Sequence, residues 1–182
     1  MEVFEGRPAD ASGRSAAEKA AYDLLDSLGI PYRRADHPAA WDMEACAAID
    51  AALGTRMCKN LFLTNRQKTA YYLLMMDGSK PFRTKELSAQ LGVARLSFAD
   101  EAAMRELLGL TPGSVTVLGL MNDRERRVAL LIDRDVLAGE TVGVHPCVNT
   151  SSLRVRTRDI TEKFLPAVGH AYTEVTLTGA EA

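Results

Sequence analysis

A chain of 182 residues is long enough for one domain with a real core. A hydrophobic fraction of 47% and a charged fraction of 25% are ordinary for a globular protein, and a formal net charge of −2 excludes a global basic field for nucleic acid. Any RNA contact must therefore use a local patch. The longest apolar runs are too short to span a bilayer, and the acidic start, Met1-Glu2-Val3-Phe4-Glu5-Gly6, lacks the basic-then-apolar order of a signal peptide. Cys46, Cys58 and Cys147 are odd in number, widely spaced and free of any CxxC or zinc-ligand pattern. These features predict a cytoplasmic protein with reduced thiols and no metal or cofactor, for which neither a membrane nor DNA is a partner.

Residues 1–14 are small, polar and Gly/Pro-containing, and read as a flexible N-terminal arm ahead of a single domain over 15–182. Ser15 is placed to cap a helix running to Leu28, with Glu18 completing a capping box; Ala21, Leu24, Leu25 and Leu28 share one face, and Gly29 ends the helix. Pro31 to Asp36 reads as a short strand, and Asp42 as the cap of a helix over 43–53. Met57 to Thr64 and Thr69 to Met76 form a hairpin around Asn65-Arg66-Gln67-Lys68. Its second strand is apolar almost throughout, which predicts that both its faces are covered. Asp77-Gly78-Ser79-Lys80-Pro81 is a turn. A helix follows over 84–91, then a short strand within 93–98 and a helix over 101–108 capped by Asp100. Strands are expected over 115–118, 127–133, 142–145, 152–156 and 172–177, with a helix over 158–165. Helices and strands intermingle without a regular βαβ rhythm. The fold class expected is α+β, with a mixed or antiparallel sheet curled into a barrel.

Three polar clusters interrupt this apolar context. In Cys58-Lys59-Asn60-Leu61-Phe62-Leu63, an apolar strand is entered by one lysine and one asparagine. A lysine facing inward must be solvated, paired or used, because a buried ammonium is costly; the plainer alternative is a side chain that snorkels at a strand edge. In Thr111-Pro112-Gly113-Ser114-Val115-Thr116, successive backbone N–H groups can bind an anion or a carbonyl oxygen, or the segment is a simple Pro-Gly turn. The third cluster runs from Gly143 to Ser152 and contains His145 before a proline, a position of restricted backbone geometry. Such an imidazole is held for chemistry or for a turn. Asn149 and Thr150 are able to satisfy local backbone groups, and Cys147 is a nucleophile only if a base stands near it.

Together these clusters resemble the YbaK/prolyl-tRNA editing domain family, and within it the freestanding alanyl-tRNA(Pro) deacylases of the ProX group. The resemblance runs from about Ala17 to Leu177. It rests on Cys58-Lys59-Asn60-Leu61-Phe62-Leu63, Pro112-Gly113-Ser114-Val115-Thr116, Leu118-Gly119-Leu120-Met121-Asn122-Asp123 and His145-Pro146-Cys147-Val148-Asn149-Thr150, four pieces in the family order. The resemblance implies a barrel-like mixed sheet flanked by helices, and hydrolysis of the ester that joins a wrong amino acid to the 3′ end of tRNA(Pro). It implies Lys59, Asn60 and His145 as catalytic residues, and Gly113, Ser114, Val115, Thr116 and Asn149 as substrate-binding residues. The family loop Gly-x-x-x-Pro here reads Gly113-Ser114-Val115-Thr116-Val117, so one proline is replaced by a residue with an N–H.

The substrate expected is mischarged alanyl-tRNA(Pro), contacted at its aminoacyl end and acceptor stem, with prolyl-tRNA synthetase as a possible partner. Selectivity against proline would follow from pocket size. Two alternatives stand beside this reading: a cysteinyl-tRNA(Pro) deacylase of the YbaK branch, and a non-catalytic module that binds tRNA or a synthetase. Candidate RNA patches are Arg33-Arg34, Lys80/Arg83/Lys85 and Arg154/Arg156/Arg158.

Overall fold

A computed structural model describes residues 1–40 and 43–180. The expected cap Asp42 lies outside the described residues. Among those described, nine strands form two sheets. β1 (Val3–Glu5), β2 (Tyr32–Asp36), β7 (Thr141–Val144) and β8 (Ser151–Arg156) make an antiparallel sheet in the order β1-β2-β8-β7. β3 (Cys58–Thr64), β4 (Tyr71–Asp77), β5 (Ser97–Phe98), β6 (Val128–Asp133) and β9 (Tyr172–Val175) make the other, in the order β5-β3-β4-β6-β9. In it β4, β6 and β9 run parallel, while β3 is antiparallel to both its neighbours. The mixed α+β architecture is as expected. The barrel is not: the two sheets stay open and meet at a single parallel bridge, Met57 to Gly143.

The five-stranded sheet is buried on both faces because its central strands carry apolar residues at consecutive positions. Leu73, Met75, Leu130 and Ile132 face the main core between the sheets, which Tyr22, Leu25, Leu107, Leu153 and Phe164 also fill. Leu74, Met76 and Leu131 face the opposite way, onto Leu87 of α3 (Thr84–Leu91) and onto Leu96 and Val175. A third, small cluster of Ala35, Ile49 and Leu53 seats α2 (Met43–Leu53) on the four-stranded sheet.

Local chemistry sets the element ends. Ser15 Oγ accepts the Glu18 N–H at the start of α1 (Ala16–Ser27), but the Glu18 carboxylate turns away from the expected box to accept from Tyr22 and Arg14. Asp100 caps α4 (Glu101–Leu108), and Gly92 and Gly109 close α3 and α4 in the left-handed conformation. The N-terminal segment differs from the loose arm expected. Residues 3–5 pair with β2, Arg7 bridges to Asp23 at 2.7 Å, and Arg14 reaches Asp36 at 2.7 Å. No strand forms over 115–118: residues 115 and 116 are irregular and a 3-10 helix runs over Val117–Asn122, with Thr116 Oγ1 accepting the Leu118 N–H. After β6 come α5 (Arg134–Ala138) and then the second sheet; the last helix, α6, spans residues 157–167 and is π-helical over Ile160–Phe164.

The seam between the sheets depends on two glycines. The Gly143 N–H donates to the Arg56 carbonyl at 3.0 Å. A Cβ on Gly143 would lie 2.5 Å from Met57 Sδ and 2.9 Å from its Cα, and a Cβ on Gly78 would lie 2.6 Å from the Met57 carbonyl oxygen. Gly143→Ala is expected to lower stability by about 1–3 kcal/mol through overpacking against backbone, read as a shift in the denaturant midpoint; an unchanged midpoint would show that the seam gives way freely.

Candidate active site

The seam opens into a cavity of about 570 Å³. One wall comes from the start of β3 (Met57, Cys58, Lys59), a second from the Gly78-Ser79 turn, a third from Gly113, His145 and Asn149, and the last from Cys46, Ile49 and Asp50 of α2. The hairpin register brings the first two walls together. Cys58 pairs with Asp77 and Lys59 with Met76, so Met57 and Gly78 lie side by side just beyond the ladder. Asp50 fixes this corner from α2 by accepting the Met57 N–H at 2.9 Å.

Lys59 projects from the face of β3 that also carries Leu61 and Leu63. Its Nζ donates to the Lys80 carbonyl oxygen at 2.5 Å. An amino group has further hydrogens to give, so this anchor orients the side chain without exhausting it. His145 is held from the other side, with Nδ1 3.0 Å from the Ser151 carbonyl oxygen. A carbonyl only accepts, so Nδ1 carries the proton and Nε2 presents its lone pair. Burial pulls the imidazole pKa down, against the opposing pull of the Ser151 hydrogen bond, and His37 adds to the lowering. The ring is therefore a neutral acceptor around neutral pH.

The remaining site residues divide. Gly113 and Asn149 line the cavity with Lys59 and His145; Asn60, Ser114, Val115 and Thr116 do not. Asn60 sits on the opposite face of β3, alongside Cys58 and Phe62. Its amide donates to the Cys58 carbonyl at 3.3 Å, and its buried Oδ1 has no hydrogen-bond partner among the described residues. The loop expected to offer a row of N–H donors offers fewer, because Ser114 N–H is already given to the Thr111 carbonyl at 3.0 Å and Ser114 Oγ to the same oxygen at 2.8 Å. Thr116 is fully buried and serves the following 3-10 helix.

Burial disfavours the thiolate at Cys58 and Cys147. Burial pushes Cys58 up to about 12, with Asp77 adding to the shift, and burial likewise pushes Cys147 up to about 12. Of the basic patches, Arg33 is paired to Glu5, Arg34 to Asp36, Arg156 to Asp159 and Arg158 to Glu162, while Arg154 donates to the Leu53 carbonyl. Lys85 stands beside Arg95 and Phe82 in a separate groove. Sequence reasoning left Gly78 and Ser79 as a plain turn and gave α2 no part in the site. The bounds expected for the hairpin pair Thr64 with Thr69 and set Met57 against Met76, whereas the structure pairs Thr64 with Tyr71, and that shift of two residues is what sets Gly78 beside Met57.

Residues 37–163 match the aminoacyl-tRNA editing domain family. The prolyl-tRNA editing protein ProX of Acetoanaerobium sticklandii is 30% identical over 161 residues, which cover 88% of this chain and 98% of that protein. The Bos taurus prolyl-tRNA synthetase associated domain-containing protein 1 is 32% identical over 150 residues, 80% of this chain and 86% of that one. The solved structure of a candidate trans-editing enzyme for prolyl tRNA synthetase superposes with a TM-score of 0.65 over 90% of this chain and 99% of the other; at 16% identity, this is a likeness of fold.

The environment of His145 has a measurable consequence. Its imidazole should titrate below the ordinary value of 6.5 in a proton NMR titration. Because the unfolded chain then takes up the proton first, His145 lowers stability as pH falls below that ordinary value. Titration at or above 6.5 would contradict the buried, Ser151-bound ring.

Proposed function

The chain belongs to the aminoacyl-tRNA editing domain family, and on that premise we propose that it is a trans-editing aminoacyl-tRNA deacylase that hydrolyses alanyl-tRNA(Pro). One observation carries the assignment of the site: Lys59, Gly113, His145 and Asn149, distant in sequence, line a single cavity. Its volume of about 570 Å³ lies in the range of small-molecule sites. That range suits a terminal nucleoside carrying a small aminoacyl group.

Hydrolysis of the ester requires water to attack the carbonyl carbon, an oxyanion to be stabilised, and the departing ribose oxygen to regain a proton. In this reading the Lys59 hydrogens not given to Lys80 face the developing oxyanion or the neighbouring phosphate. The lone pair of His145 Nε2 accepts from the ribose hydroxyl beside the ester, or from the water itself, and so fixes the nucleophile at the carbonyl. Gly113 lets the chain approach the aminoacyl end closely, and Asn149 supplies an amide for the terminal base or ribose. Asn60 lies behind β3, out of the cavity, where its unsatisfied Oδ1 can accept a hydrogen from a water and so support the strand that carries Lys59.

In this reading a preference for alanine comes from size. An aminoacyl group seated against Met57, Ile49 and the glycine turn would fit with a methyl side chain and clash with a pyrrolidine ring, the logic of a second sieve. The protein finds its substrate as free mischarged tRNA(Pro), with prolyl-tRNA synthetase as the source of the error. The acceptor stem approaches along the Phe82, Lys85 and Arg95 groove, which begins shortly after Ser79 in the chain.

The test is a deacylation panel with tRNA(Pro) carrying alanine, cysteine, serine or proline. Alanine should be released fastest and proline spared; preferential release of cysteine would move the protein to the cysteinyl branch. Lys59→Ala should lose about 10²–10³-fold in rate while keeping its fold by circular dichroism. Parental activity in that variant would remove Lys59 from the mechanism, and binding of charged tRNA without turnover would mark a non-catalytic module.

A further inference from the structure

The Lys80 side chain has no place in the chemistry above, yet it is held between two carboxylates. Its Nζ lies 2.7 Å from an Asp133 carboxylate oxygen and 2.7 Å from one of Asp135. The Asp133 side chain is 0% exposed and that of Lys80 is 17% exposed, so this pair is shielded from water, whereas Asp135 at 57% is not. Asp133 ends β6 and also accepts from the backbone N–H groups of Asp77 at 3.5 Å and Leu177 at 3.4 Å. One buried carboxylate thus gathers the carboxyl ends of three parallel strands, β4, β6 and β9, and holds Lys80 to them.

The same residue holds the site, through its backbone. The Lys80 carbonyl oxygen is the acceptor for Lys59 Nζ. A carbonyl serves as an anchor only if its peptide plane is fixed. Three constraints fix it: the Lys80 N–H donates to the Asp77 carbonyl at 3.2 Å, the Asp77 carboxylate accepts the Ser79 N–H at 2.8 Å, and Pro81 restricts the backbone of the residue before it. Gly78 and Ser79 within this turn are cavity wall. Burial alone would pull the Lys80 pKa down, but its hydrogen bonds to Asp133 and Asp135 outweigh that and raise it, so the clamp stays charged.

We propose that Lys80 is a positioning residue: clamped by Asp133 and Asp135, it fixes the 77–80 turn so that its carbonyl holds Lys59 in the cavity wall. This inference rests on the reading in which Lys59 acts on the ester. It predicts that the side chain at position 80 controls the order of the side chain at position 59, although the two interact only through the backbone.

The experiment compares the parent with Lys80→Met, Lys80→Arg and Asp135→Asn. The first readout is the proton–nitrogen correlation spectrum of lysine side-chain NH₃⁺ groups, with the Lys59 signal assigned by its loss in Lys59→Arg. The second is kcat and KM for deacylation of alanyl-tRNA(Pro). In Lys80→Met the Lys59 signal should broaden or vanish, and kcat should fall by about ten- to a hundredfold with KM little changed. Lys80→Arg should restore both, and Asp135→Asn should move both in the same direction by less. An unchanged Lys59 signal in folded Lys80→Met overturns the proposal; should that variant not fold, an unchanged signal and kcat in Asp135→Asn overturns it equally. Full activity of Lys59→Ala would defeat the catalytic reading, while the spectral coupling between positions 80 and 59 would still decide this one.

Discussion

The backbone of Met57 is held where two sheets touch, and the site exists because of that contact. Gly143 comes against its Cα side and Gly78 against its carbonyl, each at a distance that no side chain would allow. Asp50 takes its N–H from a third direction. With Met57 pinned, β3 enters its sheet at a fixed point, and the next residues on the strand, Cys58 and Lys59, are delivered to the seam rather than to solvent. The loops after β7 and before the 3-10 helix then bring His145, Asn149 and Gly113 to the same opening. The sheets diverge from this bridge, and the space between their ends is the cavity.

Polar groups at the seam are arranged so that each has one fixed bond and one free capacity. Lys59 gives one hydrogen to a carbonyl, and His145 gives its Nδ1 proton to another and keeps a lone pair. Such groups need no reorganisation when a substrate arrives, which is the condition for electrostatic stabilisation to be effective in a desolvated site. The cost is a buried ionic cluster beneath, with Asp133 fully enclosed. Removing one member of such a pair leaves a charge without compensation, so the cluster is far more sensitive to truncation than its surface counterparts, such as Lys68 with Asp100.

Much of this was legible from residues alone, and the failures have physical reasons. The apolar run 71–76 announced a strand covered on both faces, and the caps Ser15 and Asp100 marked helix starts, because these are local signals. Lys59 stood out because an apolar strand cannot hide a lysine cheaply, but whether it faced inward or snorkelled at the strand edge stayed open; it is half-buried and lines the cavity. Closure of the sheet was not legible: whether edges join depends on tertiary distances, and here one bridge joins them. Residues 115–118 carried β-branched side chains but lead into a 3-10 helix that starts at Val117, since Thr116 caps Leu118 and Gly119 packs tightly against Leu110, at 2.7 Å for an added Cβ. Residues 3–5 looked loose because a three-residue strand has no pattern of its own and is held by its partner β2. Asn60 was grouped with Lys59 by adjacency, yet neighbours on a strand point to opposite faces.

The central claim is that the seam cavity receives the aminoacyl end of a tRNA. The most direct measurement is a crystal structure with 3′-alanylamino-3′-deoxyadenosine, whose amide resists hydrolysis. The account predicts the aminoacyl carbonyl in the cavity, with Lys59 Nζ and His145 Nε2 within hydrogen-bond reach of the carbonyl and the ribose 2′-hydroxyl respectively. Density for the nucleoside elsewhere on the surface, with the cavity left to solvent, would contradict it.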